Sequence, residues 1–147
     1  MTETHGGFLI SQIKQIQGRI FERLLSSANI EEFNGAQGRI LYVLWQQDTL
    51  PIVELGRRTG LAKSTLTSML DRMEAQGHIA RLADKTDRRQ IKICLTSRAK
   101  SLNVAYQRVS EQMNAIFYRG FSEEQISRFE DDLRRILDNL NQKELSL

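Results

Sequence analysis

Apolar and polar positions along the chain fall into six helical stretches and one pair of strands. From 8 to 27, Leu9, Ile13, Ile16, Ile20 and Leu24 lie on one stripe, with Lys14, Gln15, Arg19, Glu22 and Arg23 largely off it. That is the 3.6-residue period of an amphipathic helix. A polar break over 26–32 separates it from a second helix, which Asn34 and Gln37 open in the manner of a capping box and to which Ile40, Leu41, Val43, Leu44 and Trp45 give a broad apolar face. Asp48 to Leu50 is short, and either a turn or a small third strand fits it. Pro51 suits the first position of a short helix containing Ile52, Val53 and Leu55, and Gly60 offers its left-handed stop. From Leu61 to Ala75, Leu66, Met69, Leu70 and Met73 recur at i, i+3, i+4, i+7 and predict a further helix with one buried face.

After Gly77 the period changes to two. Ile91, Ile93 and Leu95 alternate with Lys92 and Cys94, and Ile79 to Leu82 supplies an antiparallel partner. The loop between them, Ala83 to Gln90, is longer than a tight hairpin needs and has no apolar residue after Ala83, so it is expected to project into solvent. Thr96 can cap a long helix from Ser97 to about Tyr118, with Leu102, Ala105, Tyr106, Val109, Met113, Ile116 and Phe117 on its apolar side. Gly120 stops it. Ser122 with Gln125 forms a capping box for the last helix, where Ile126, Phe129, Leu133, Ile136 and Leu140 step by three and four as a coiled-coil seam does. Glu124 with Arg128, Glu130 with Arg134 and Asp131 with Arg135 are acid-before-base pairs on its solvated side.

Two amphipathic helices joined by a tight glycine turn make a helix-turn-helix, whose second helix lies in the DNA major groove; with a hairpin after it the unit is a winged helix. The expected fold is therefore mostly α with a small β-hairpin wing. A winged helix-turn-helix head over about 34–95 is flanked by dimerisation helices at about 8–27 and 97–142, in a single domain of 147 residues. The stretch from Asn34 to Thr96 resembles the MarR family of transcriptional regulators, through ILYVLW, LTSMLDRMEAQGHIAR and the wing segment DKTDRRQIKICLT. The family's wing signature, Asp-x-Arg/Lys-Asp-x-Arg, is met at Asp84, Asp87 and Arg89, with Thr86 at its basic position and Lys85 one residue earlier. The chain departs from the pattern where Ala99 or Lys100 replaces a frequent glycine, and where Ser68 stands in place of a frequent arginine.

Charge adds a direction to this picture. The net charge of +3 is small, but residues 51–95 carry nine bases against five acids, while the first fifty residues come to −1 and the last fifty-two to zero. Positive charge is concentrated on the segment patterned for DNA, as phosphate binding requires. A merely solvated basic surface is the alternative. Ser64, Thr65, Thr67 and Ser68 are short donors and acceptors on the exposed face of the second helix of the pair, fit to meet base edges or phosphates. Lys63 and Arg72 can reach phosphates, although Arg72 has Asp71 and Glu74 as competing partners. Arg88 is assigned to phosphate or solvent. The resemblance implies that Arg89 enters a narrow minor groove and that Asp87 holds the wing in shape.

The terminal stripes are more apolar surface than the head alone can cover. Packing the first helix against the last two, and these against a second copy, gives a two-fold homodimer through Ile13, Ile16, Ile20, Ile126, Phe129, Leu133, Ile136 and Leu140; a monomeric bundle is the alternative. In proteins of the family a small-molecule crevice lies where head meets dimer helices, which implies Tyr42, Trp45 and Tyr106 as aromatic walls for a small aromatic or amphipathic effector. For each of these rings a plain core role is the competing reading.

No Gly-rich phosphate loop, Ser/His/Asp set or isolated carboxylate pair is present, so an enzyme is not expected, nor a cofactor. Cys94, His5 and His78 cannot make a four-ligand zinc cluster, and a metal site is not expected either. His78 reads as solvated. No stretch approaches the ~20 apolar residues of a membrane span and no export signal opens the chain, so a cytoplasmic address follows. The leading function is a dimeric, ligand-responsive DNA-binding regulator, most often a repressor in such families, acting on an inverted-repeat duplex. The alternatives are a redox-sensing regulator using Cys94 and a winged-helix protein-interaction module without DNA. The cysteine that senses oxidants in some family members typically lies in the first helix, where this chain has none, which favours a structural thiol.

Overall fold

The computed structural model describes residues 2–30 and 35–147. The predicted Asn34 start of the second helix lies outside them. The elements are α1 (Gly6–Ser27), α2 (Gly35–Gln46), β1 (Leu50–Pro51), α3 (Ile52–Thr59), α4 (Lys63–Ala75), β2 (Ile79–Ala83), β3 (Ile91–Leu95), α5 (Ser97–Ser101), α6 (Asn103–Phe117) and α7 (Glu123–Ser146). The protein is mostly helical with one small antiparallel sheet, ordered β1-β3-β2. Leu50 faces Ile93 and Ile79 faces Leu95, so β3 is the central strand and the short Asp48–Leu50 segment does end in a third strand.

The chain divides into two compact units, Met1–Met113 and Asn114–Leu147. The core of the first is built from Ile40, Leu41 and Leu44 of α2, Leu55 of α3, Leu66, Leu70 and Met73 of α4, and Ile79 and Ile93 of the sheet, all buried. Truncating any one of these leucines to alanine removes contacts worth about 2–5 kcal/mol. The helix-turn-helix corner is set by Gly60, at φ 71°, whose N–H closes the last turn of α3 on the Gly56 carbonyl. A second glycine acts by having no side chain: a Cβ on Gly38 of α2 would meet the Tyr106 hydroxyl and lie 3.1 Å from its Cζ. Tyr106 is 5% exposed and has little room to retreat. Gly38→Val is expected to lower stability by about 1–3 kcal/mol from overpacking, read as a lower thermal midpoint. A midpoint at or above the parent's would mean that the tyrosine ring gives way freely.

In the second unit, Gly120 at φ 86° turns the chain, and Ser122 and Gln125 form the expected capping box, each side chain bonding the other's backbone N–H at 3.1 and 2.8 Å. Phe117, Tyr118, Phe121 and Phe129 form a ring cluster, and the Tyr118 hydroxyl donates to Glu130 at 2.6 Å. Burial, with that hydrogen bond behind it, pushes the Tyr118 hydroxyl up to about 12.

Several expectations are corrected. The long helix after the wing is two helices, split at Leu102. The Ser101 hydroxyl donates to the Arg98 carbonyl at 2.7 Å and the Trp45 indole to the Ala99 carbonyl at 3.1 Å, so side chains share the acceptors that continuous α-helical bonding would use at this point. The Leu102 N–H closes a tighter bond to Ala99 instead. Pro51 precedes α3 as its N-cap, its backbone still extended at ψ 148° and paired in β1 opposite Lys92. The next helix starts at Lys63, not Leu61, since Ala62 is extended at ψ 148°. Ile91 is 43% exposed, at the mouth of the wing loop where β3 has left the core. Asp131 pairs with Arg134, one position nearer than Arg135 and 3.0 Å away; the Glu124–Arg128 and Glu130–Arg134 pairs form as expected. His78 is fully buried, not solvated: Gly77, at φ 82°, reverses the chain so that His78 lies between the end of α4 and β3, its N–H on the Met73 carbonyl and its own carbonyl on the Thr96 N–H.

Candidate nucleic-acid interface

Burial of Leu66, Leu70 and Met73 fixes the roll of α4 and turns its other face outward. Lys63, Ser64, Thr67 and Ser68 of that face, with Asp71, line one open depression. Thr65 and Arg72 are exposed as well, outside its lining. The Thr67 hydroxyl donates to the Lys63 carbonyl at 2.9 Å, which leaves its lone pairs as acceptors toward an incoming group. Ala62 offers no side chain to cap the helix, so the first amides of α4 keep their donor capacity at the end where Lys63 and Ser64 stand.

The wing loop is built by its two aspartates. Asp84 Oδ1 accepts from the N–H and hydroxyl of Thr86 at 3.0 and 2.9 Å, and Asp87 Oδ1 accepts from the N–H of Arg89 at 3.0 Å and from its Nε at 3.3 Å. These are two successive Asx turns, the local bonding that lets a polar loop hold a shape without a core. The Thr86 bonds, with Lys92 3.9 Å away on the strand behind, hold the Asp84 carboxyl below its ordinary range. Arg89 is anchored at its base while its side chain stays 92% exposed, and Arg88 is exposed beside it.

Two groups of bases behave differently from the simple count. Arg57 and Arg58 of α3 both pair with Glu54, whose carboxyl those bonds hold at about 2. Asp71 and Glu74 are both taken by Arg81 of β2, at 2.8 Å each, and so are not the partners of Arg72. Residue-by-residue reading missed Arg81; its only signal is that the Gly77 reversal brings β2 back along the end of α4.

Trp45 and Tyr106 lie together, ring centroids 4.9 Å apart, with Phe21 edge-on to Tyr106 at 5.5 Å. Burial pushes the Tyr106 hydroxyl up to about 12. Tyr42, by contrast, is 54% exposed. Cys94 is half-buried on β3, its thiol donating to the Ala80 carbonyl across the strand pair at 3.6 Å. On α1, Ile13 and Ile16 are 42% and 48% exposed, with Ile20 half-buried. On α7 nothing is buried: Ile126, Phe129 and Leu133 are half-covered, Ile136 and Leu140 exposed. Among the described residues no helix is long and apolar enough to cross a membrane, and no group of three or more His, Cys, Asp or Glu side chains is placed to hold a metal ion.

A three-helix core, a projecting outer helix and a hairpin behind it define a winged helix-turn-helix protein. Residues 33–91 match the model of the MarR family. It is 39% identical over 85 residues to the HTH-type transcriptional regulator TtmR of Methylorubrum extorquens (strain PA1), a match covering 58% of this chain and 42% of that one. The chain thus spans less than half the length of that relative. Among solved structures it is similar to Bordetella bronchiseptica BpsR, studied for regulation of its DNA binding by 6-hydroxynicotinic acid, with a TM-score of 0.81 at 21% identity over 94% of this chain and 98% of that one. It is likewise similar to a mutant MarR from E. coli complexed with operator DNA, with a TM-score of 0.78 at 22% identity over 92% and 99%.

Proposed function

We propose that this chain is a cytoplasmic, dimeric, sequence-specific DNA-binding regulator of transcription, a repressor of an inverted-repeat operator. The observation that carries the reading is the pairing, on one head, of the open polar face of α4 with an Asp87-braced Arg89 on the wing. Lys63 and the uncapped amides of α4 bind phosphate; Ser64, Thr65, Thr67 and Ser68 meet phosphates or base edges in the major groove; Arg89 takes the minor groove and Arg88 and Arg72 the flanking phosphates. The operator complex of the similar MarR supports this use of the fold. The apolar stripes of α1 and α7 are the surfaces through which two copies pair, and a small aromatic or amphipathic effector acts beside Trp45 and Tyr106, from which Tyr42 is turned outward. Regulation of the similar BpsR by 6-hydroxynicotinic acid supports the effector class.

Selection from a random duplex pool tests the reading. It is expected to return an inverted repeat with half-site centres about one helical turn, ~34 Å, apart. On that duplex Arg89→Ala is expected to cost about 1–3 kcal/mol of binding, with folding and dimerisation unchanged. An asymmetric, unpaired motif would remove the two-headed dimer, and an Arg89→Ala protein that binds like the parent would remove the wing contact.

A further inference from the structure

Lys63, Thr67, Asp71 and Glu74 follow one another along α4 at steps of four, four and three, so two carboxylates continue the stripe that begins with a phosphate-binding lysine. Asp71 lines the same depression as Lys63, Ser64, Thr67 and Ser68, and its side chain is 65% exposed. Left alone, these acids would meet the phosphate backbone with like charge. Arg81 intervenes: Nη2 donates to Asp71 Oδ1 and Nη1 to Glu74 Oε1, both at 2.8 Å, and the arginine side chain is only 23% exposed. One planar fork thus spans the outer end of α4 from the first strand of the wing.

Resting on the DNA-binding reading above, we propose that Arg81 is a positioning residue for that activity: it ties Asp71 and Glu74 back to β2, offsets half of the negative charge they turn toward phosphate, and joins helix and wing into one presenting unit. The two acids stay open to solvent, 65% and 45% exposed, which limits what these ion pairs add to folding, so the role is visible in DNA binding rather than in stability. An arginine acting directly on phosphate would also strengthen binding. The two roles differ in what happens when the acids are removed.

The test measures operator affinity for the parent, Arg89→Ala, Arg81→Met, Arg81→Lys, the pair Asp71→Asn with Glu74→Gln, and that pair combined with Arg81→Met, with thermal unfolding of each. Arg81→Met is expected to bind roughly tenfold or more weakly, because unscreened like charges then face each other across the interface. The loss should be larger at low salt, with the melting midpoint little changed. Adding the two amide substitutions to Arg81→Met is expected to restore binding to within about threefold of the parent. If Arg81→Met does not fold, Arg81→Lys takes its place; its one ammonium cannot fork to both acids, and the same rescue is expected. Parent-like binding by the Arg81 variants, or no rescue by the amides, overturns the proposal while leaving the DNA-binding reading intact. A parent that binds no selected duplex, indistinguishable from Arg89→Ala, takes down both.

Discussion

Leu133→Asp is expected to convert a dimer into monomers and to weaken operator binding by about 10²–10⁴-fold, the range set by losing an intramolecular second contact. Leu133 sits mid-way along the α7 seam, between Phe129 and Ile136, and no residue of α7 is buried within one chain. A carboxylate there would have to be desolvated wherever two such seams close. The substitution leaves the winged-helix core untouched, because every fully buried core residue lies before Asn114. Sedimentation and a single half-site duplex separate the effects: the half-site affinity should match the parent's, and only the full operator should discriminate. A variant that remains dimeric would place the interface elsewhere than on the α7 stripe.

Salt is the second large lever. Raising it from 50 to 200 mM is expected to reduce operator affinity by ~10³–10⁵-fold if the dimer neutralises roughly 6–10 phosphates. The geometry narrows which charges take part. Lys63, Arg72, Lys85, Arg88 and Arg89 stand exposed on each head, whereas Arg57 and Arg58 are held by Glu54 and Arg81 by two acids. Five cations on each of two heads match the upper part of that range. A slope close to zero would remove phosphate neutralisation as the source of affinity; a steeper slope than these ten allow would bring the α3 arginines into the interface.

What could be read before any coordinates existed was whatever depends on near neighbours. The Gly60 stop, the Thr96 and Ser122 caps, the period of α4 and the burial of Ile93 and Leu95 on β3 are each decided within a few residues and are as expected, whereas Ile91 is exposed because the strand has already left the core there. Asp87 bracing the wing belongs with these, because an Asx turn closes over two residues. Departures arise where a distant group decides. The break at Leu102 depends on an indole 54 positions earlier. Burial of His78 depends on where Gly77 aims the strand, and the Arg81 fork depends on a ten-residue return that no helical period encodes. The aromatic trio divides on the same ground: Trp45 and Tyr106 pack together, while Tyr42 one turn away from Trp45 faces outward.

The interruption between α5 and α6 has a mechanical side. A continuous helix is a stiff shaft, and a rotation applied at one end arrives at the other nearly undiminished. Here the shaft is jointed at Leu102, where backbone carbonyls are shared with the Ser101 hydroxyl and the Trp45 indole. The indole hydrogen bond ties that joint to α2 as well, so α2, α5 and α6 meet at one point. Trp45→Phe would remove that tether together with part of the ring surface that packs on Tyr106, so the joint and the core beside it are held by the same side chain.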